Sequence, residues 1–244
     1  MLTALSSAAA PRASLDELLV GLARHGLTAL ELRLGDGHAI GAVDTDAAVA
    51  AAARLARENV RVVGLLDRGG AMTESLPRVV DTLRTRWLLD GALPLGTRLE
   101  CADRADAAGM PVALVVRGPD AAAEARDVRS AGHSVVWEAH PAQAPLGALC
   151  DRILEASDDM LVGVRLCGGG PEGTLHEGRG IGAVVGRLVV AGFNGALTLA
   201  PSDRKYHVLW ETWIGRRGGW GCGSKVTEPI EQLQRTASIA EDIA

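Results

Sequence analysis

Apolar residues along this chain recur at two periods that take turns. Behind Ser14 and Glu17, spaced as a capping box, Leu15, Leu18, Leu19 and Leu22 repeat at helical spacing until Gly26 can end the turn. Residues 27–34 then alternate. Leu30, Leu32 and Leu34 fall on one face and Ala29, Glu31 and Arg33 on the other, which predicts a half-buried strand. The same unit returns with a helix over 46–58, a strand over 61–67 and a third helix that begins near Ser75, where Pro77 is tolerated in the first turn. Residues 87–90 form a short candidate strand. Thr97 and Glu100 make a second capping box, and the helix it opens ends at Gly109, ahead of a strand over 112–117. Pro119 suits the first turn of a helix that closes at Gly132. Strand 134–140, helix 145–157, strand 160–166, helix 181–191, strand 195–200 and helix 202–214 complete the series.

With residues 2–5 counted as a strand, eight strand candidates succeed one another at intervals of roughly 22 to 34 residues, a spacing that fits a parallel sheet of βα units. No GxGxxG comes after a first strand in either half, so a doubly wound dinucleotide fold explains the pattern less well than one closed barrel. The expected fold is a single α/β chain of (β/α)8 TIM-barrel type over residues 1–214, with a short or irregular fourth strand. A Gly-rich loop and helical tail over 215–244 would form a C-terminal extension.

Composition narrows the function classes. The 244 residues are 48% hydrophobic and 23% charged, values of an ordinary globular protein and not of a disordered one. A net charge of −5 without a block of like charge lacks the footprint of a nucleic-acid or membrane-surface binder, so a small molecule is the expected partner. Lys205 and Lys225 are the only lysines among 25 basic residues, so arginine abundance by itself carries no functional weight. Cys101, Cys150, Cys167 and Cys222 are scattered without a CxxC, which argues against a zinc knuckle or a disulfide framework. Neither a leader-like N-terminus nor a long uncharged apolar run is evident, and a cytoplasmic location is the default expectation.

In a barrel of this kind chemistry sits at the C-terminal ends of the strands. Glu31 and Arg33 share the polar face of the second strand, Arg117 ends the fifth, Glu138 and His140 share a face of the sixth, and Arg165 and Cys167 share a face of the seventh. Asp67 and Asp90 stand at the ends of the third and fourth. A ring of such groups is costly to desolvate without a polar ligand or mutual pairing. Glu138 and His140 form the sharpest pair, an acid or base and an imidazole within reach of one ligand or one metal ion. Glu31, Arg33, Arg117, Arg165 and Cys167 would bind substrate. Gly168, Gly169 and Gly170 open a long Gly-rich loop before a helix, and Ser202 caps a helix with Arg204 and Lys205 in its first turn; both places suit phosphate or another anion.

These residues resemble the xylose isomerase-like TIM-barrel superfamily, which includes sugar-phosphate isomerases and epimerases and endonuclease IV. The segment SLDELLVGLARHGLTALELRL is similar to the family's opening helix, glycine and Glu-bearing strand, here with Glu31, and GRGIGAVVGRLVVAGFNGALTLAPS to its closing helix and strand. VVWEAHP resembles the strand that ends in a metal-binding Glu followed by a histidine, matching Glu138 and His140, although it is the sixth strand here and the family's is usually the fifth. The resemblance implies a sugar isomerase or epimerase. It also implies a second metal-binding Glu on the last strand, where this chain has Ala200, and Asp and His ligands on strands six and seven, where it offers Arg165 and Cys167. A divalent ion needs several oxygen or nitrogen ligands, so a bound metal is disfavoured and no cofactor is predicted.

The leading expectation is a sugar, sugar phosphate or cyclitol isomerase or epimerase that acts by proton transfer on a small polar, anionic substrate, with Glu138 moving the proton and His140 assisting. The alternative is a non-catalytic or repurposed barrel that binds a ligand or serves a pathway as an accessory. Nucleic-acid cleavage is disfavoured, because a metal cluster for it needs far more His, Asp and Glu.

Overall fold

The computed structural model describes residues 1–24, 26–38, 40, 45–70, 72–140, 145–167 and 179–200. Its eight strands are β1 (Leu2–Ser6), β2 (Ala29–Arg33), β3 (Arg61–Asp67), β4 (Trp87–Leu89), β5 (Val112–Arg117), β6 (Ser134–Ala139), β7 (Leu161–Leu166) and β8 (Ala196–Leu199). All pair in parallel in sequence order, and β8 returns to β1 to close the barrel. The helices between them are α1 (Leu15–Arg24), α2 (Thr45–Arg57), α3 (Leu76–Thr82), α4 (Leu95–Ala107), α5 (Ala121–Ser130), α6 (Leu146–Ser157) and α7 (Arg179–Val190). The expected single (β/α)8 barrel is thus observed, with the fourth strand cut to three residues. The helix expected over 202–214 and the extension over 215–244 lie outside the described residues.

Local chemistry explains most boundaries. Ser14 and Glu17 form the capping box reciprocally, the Ser14 backbone N–H donating to Glu17 Oε2 at 2.8 Å and the Glu17 N–H to Ser14 Oγ at 3.3 Å. The second expected box is corrected. Thr97 lies inside α4, which starts two residues earlier behind Pro94, whose extended backbone (φ −55°, ψ 141°) turns the chain into the helix without a side-chain cap. Pro119 precedes the cap residue Asp120 and so stands just outside α5.

Alternation then sorts the strand residues. Leu30, Leu32, Leu65, Leu89, Leu114 and Trp137 point outward into one large core between barrel and helices. Leu66, Leu88, Ala113, Val115 and Val136 form a small separate cluster that fills the barrel interior. Two register shifts set which residues come level at the C-terminal ends of the strands. Between Leu30 and Glu31 the partner on β3 jumps from Val62 to Gly64, and between Val135 and Val136 the partner on β7 jumps from Leu161 to Gly163. Each bulge re-aims the rest of its strand, because side chains alternate with a strict period of two. Gly163 accepts the crowding this creates, since a Cβ there would stand 3.3 Å from Val136 Cγ2.

Candidate active site

Past its bulge, β7 brings Arg165 into register with Glu138 on β6 and with Thr198 on β8. The guanidinium bridges two carboxylates from diametrically opposite strands. Its Nε donates to Glu31 Oε2 at 2.9 Å and its Nη2 to Glu31 Oε1 at 3.2 Å, while Nη1 donates to Glu138 Oε2. The Glu31 side chain is 1% exposed and that of Arg165 6%, whereas Glu138 keeps 16%. Burial works against the Arg165 charge, but attraction to Glu31 first, and also to Glu138, outweighs it and raises its pKa.

Arg117, at the end of β5, faces the same carboxylate from the other side. Its Nη1 lies 3.9 Å from Glu138 Oε1 and 3.8 Å from Asp90 Oδ1, both looser than direct hydrogen bonds, and its side chain is 43% exposed. Arg68 stands 3.5 Å from the other Asp90 oxygen. Cys167, one residue past β7, is buried beside Glu138, and burial pushes its thiol up to about 12 despite the neighbouring Arg165. It is therefore a neutral donor and not a thiolate nucleophile. His140 is half-buried one residue beyond β6.

Other candidates are placed differently. Arg33 gives its Nε to Asp36 Oδ1 at 2.8 Å, and Ser7 Oγ donates to Asp36 Oδ2 at 2.8 Å while accepting the Arg33 backbone N–H at 2.8 Å. His38 completes this cluster: its Nδ1 accepts from the Ile40 N–H at 3.1 Å, which leaves Nε2–H to donate to the Arg33 carbonyl at 3.0 Å. Arg33 thus braces the loop after β2 and makes no contact with Glu138 among the described residues. Asp67 accepts from Trp87 Nε1 at 3.2 Å and from the Gly69 N–H at 2.8 Å. Gly168, Gly169, Gly170, Ser202, Arg204 and Lys205 lie outside the described residues. Ser7, Asp36 and His38 carry no motif, and the Arg33 to Asp36 spacing of three was their one available signal.

The comparisons with known proteins agree with this architecture. No family model matches the chain, and no curated protein matches its sequence. Solved structures do. L-ribulose 3-epimerase superposes with a TM-score of 0.67 at 14% identity, covering 99% of this chain and 96% of its own. A xylose isomerase domain containing protein from Salmonella typhimurium LT2 gives 0.65 at 13% identity, with 97% of each chain covered. D-allulose 3-epimerase from Methylomonas sp., in complex with D-allulose, gives 0.64 at 14% identity, again with 97% of each covered. At such identities the likeness is one of fold. The chain has the TIM-barrel fold that these epimerases and the xylose isomerase domain containing protein share. No helix of the described residues is long and apolar enough to cross a membrane.

Proposed function

We propose that this barrel is a sugar isomerase or epimerase that moves a proton next to the carbonyl of a small, anionic polyol substrate. The observation that carries the reading is the asymmetric setting of Glu138. One oxygen is anchored by Arg165, while Oε1 faces the loosely placed Arg117 at the partly exposed barrel mouth. That less tightly held oxygen is the base that takes the proton and returns it. An arginine has five N–H donors, of which Arg165 uses three on Glu31 and Glu138, so two remain for the oxygen that becomes negative in the enediolate. Arg117 holds the anionic group of the substrate. Glu31, almost inaccessible, acts through Arg165 as a positioning residue. His140 stands ready to assist the proton, and Cys167 donates to Glu138. Residues 168–170, with Ser202, Arg204 and Lys205, would close the anion site, and residues 215–244 would extend the barrel proper.

The described donor set does not suit a divalent ion. Arg165 occupies the space between the two carboxylates, Thr198 and Ala200 offer no third at the last strand, and no group of three or more His, Cys, Asp or Glu among the described residues could hold a metal. A guanidinium supplies the positive charge here instead, which makes the site a degenerate form of a metal centre. The same bridge favours a second reading, a ligand-binding barrel without turnover, because every carboxylate lone pair committed to Arg165 is lost to chemistry.

Solvent-deuterium wash-in separates the two. The protein is incubated in D2O with a panel of ketoses and ketose phosphates, and the protons next to the carbonyl are tracked by NMR. An isomerase or epimerase exchanges one of them. Saturable binding of a panel member without exchange establishes the second reading in its place.

A further inference from the structure

The opposite end of the barrel carries a polar cavity unrelated to Glu138. It measures about 490 Å³ and is lined by the residues that begin the strands, from Leu2 of β1 and Arg61 of β3 to Ala196 of β8. Three arginines, Arg61, Arg84 and Arg86, line it together with a single carboxylate, Asp159. Among the described residues none of these three side chains has a hydrogen-bond or ion-pair partner; exposed Arg12, Arg78, Arg126 and Arg152 share that, but they stand apart on the surface and line no common cavity with one another. Burial, and then repulsion by Arg61, lowers the pKa of half-buried Arg86. The hydroxyl of Thr85, on the same wall, is enclosed without a hydrogen-bond partner. Like charges gathered in a concave site of an acidic protein call for an anion.

A second, independent observation concerns the backbone at Arg84. Six helix-to-strand turns share one hydrogen-bond pattern, in which the residue after the turn donates to a carbonyl five positions back: Leu27 to Leu22, Val60 to Leu55, Thr85 to Val80, Met110 to Ala105, His133 to Val128 and Phe193 to Leu188. The residue before each donor has positive φ. It is glycine at 26, 109, 132 and 192, asparagine at 59, and arginine at 84 with φ 49°. Glycine and asparagine tolerate this conformation, but a long L side chain is strained in it. Backbone strain of this kind persists where the side chain has a use. Arg84 lines the cavity, and a glycine there would leave Arg61 and Arg86 alone.

We propose that the N-terminal end of the barrel is a second binding site, which takes a multiply charged phosphate compound between Arg61, Arg84 and Arg86. The cavity is larger than a bare phosphate and falls in the range of small-molecule sites. Forked guanidinium donors match phosphate oxygens bidentately, and Asp159 can accept hydroxyl protons from the body of the ligand. The site lies at the far end of the strands from Arg117 and Arg165 and shares no lining residue with the mouth.

Calorimetric titration of the full chain with inorganic pyrophosphate at constant ionic strength tests this. Wild-type protein is expected to show saturable binding with a Kd below about 1 mM, and Arg84→Gly and Arg86→Gln each to weaken it tenfold or more. Arg84→Gly relieves the turn, so its Tm stays at or above that of the wild type and weakened binding cannot be blamed on misfolding. Arg117→Ala retains the binding. Absence of saturable binding by the wild type overturns the proposal. Binding that survives both Arg84→Gly and Arg86→Gln overturns it as well, as does binding that disappears only with Arg117→Ala.

Discussion

Arg165 and Glu31 are 134 residues apart in the chain and meet inside the barrel through two hydrogen bonds, Nε to Oε2 at 2.9 Å and Nη2 to Oε1 at 3.2 Å. With Glu138 they form a buried group in which one cation answers two anions. Removing the shared cation strands two carboxylates, of which Glu31 is almost fully buried, while removing Glu31 with it leaves only the partly exposed Glu138 beside Arg117. Arg165→Met is therefore expected to lower the unfolding free energy by about 3–5 kcal/mol, and the double variant Glu31→Leu, Arg165→Met to recover most of that loss. Urea denaturation of the four proteins of the cycle measures it. A double variant no more stable than Arg165→Met would show that the pair is not the coupled unit.

Arg98 is a structural counterpart outside the site. Fully buried in α4, it donates to the Leu93 carbonyl at 2.9 Å, to the Val115 carbonyl at 2.7 Å and to Glu124 at 2.9 Å, and so ties the loop after β4 to β5 and α5. A lysine cannot reproduce three donors in a planar fork. Arg98→Lys is expected to cost about 1.5–3 kcal/mol of stability by urea denaturation. A change within experimental error would show that this brace contributes nothing to the fold.

The His38 imidazole is buried as the neutral form. Burial lowers its pKa below 6.5, against the opposing pull of Asp36 and of its bond to the Arg33 carbonyl. A histidine with a depressed folded pKa contributes stability that is fully present above its unfolded value and is lost as pH falls from there through the folded value. The Tm of the wild type is thus expected to drop on acidification below pH 6.5 more steeply than that of His38→Gln. Parallel pH profiles for the two proteins would contradict this.

Burial holds the thiols of Cys150 and Cys167 up to about 12. Both are expected to resist iodoacetamide at about pH 8 in the native protein and to react once it is unfolded, as read residue by residue by mass spectrometry. Rapid native labelling of Cys167 would show an open, ionised thiol beside Glu138.

Much of the fold was legible in the chain because period alone carries it. Leu30 and Leu32 against Glu31 announce a strand with one apolar and one polar face, and Gly26, Gly109 and Gly132 mark helix ends whose left-handed backbone favours glycine. The convergence of Glu31, Glu138 and Arg165 was only partly legible. Alternation puts each on an inward face, but the bulges at β3 and β7 set which residues come level, and a bulge has no period to betray it. Arg33 shares a face with Glu31, yet Asp36 lies close enough in the chain to capture its guanidinium first. Arg98 looks like any helix arginine until the barrel closes around it, and Arg84 is invisible as an exception until the other turns of its kind stand beside it.

The proposed chemistry turns on Glu138. On any ketose or ketose phosphate that the protein exchanges, the turnover number of Glu138→Gln at saturating substrate is the most direct measurement, because the amide keeps the shape and the contact with Arg165 but cannot take a proton. Turnover is expected to fall by about a hundredfold or more with KM changed by less than about threefold, a loss in the range ascribed to a positioned base. Turnover equal to that of the wild type would contradict the role of Glu138 and with it the reading of this barrel as a proton-transfer enzyme built on that carboxylate.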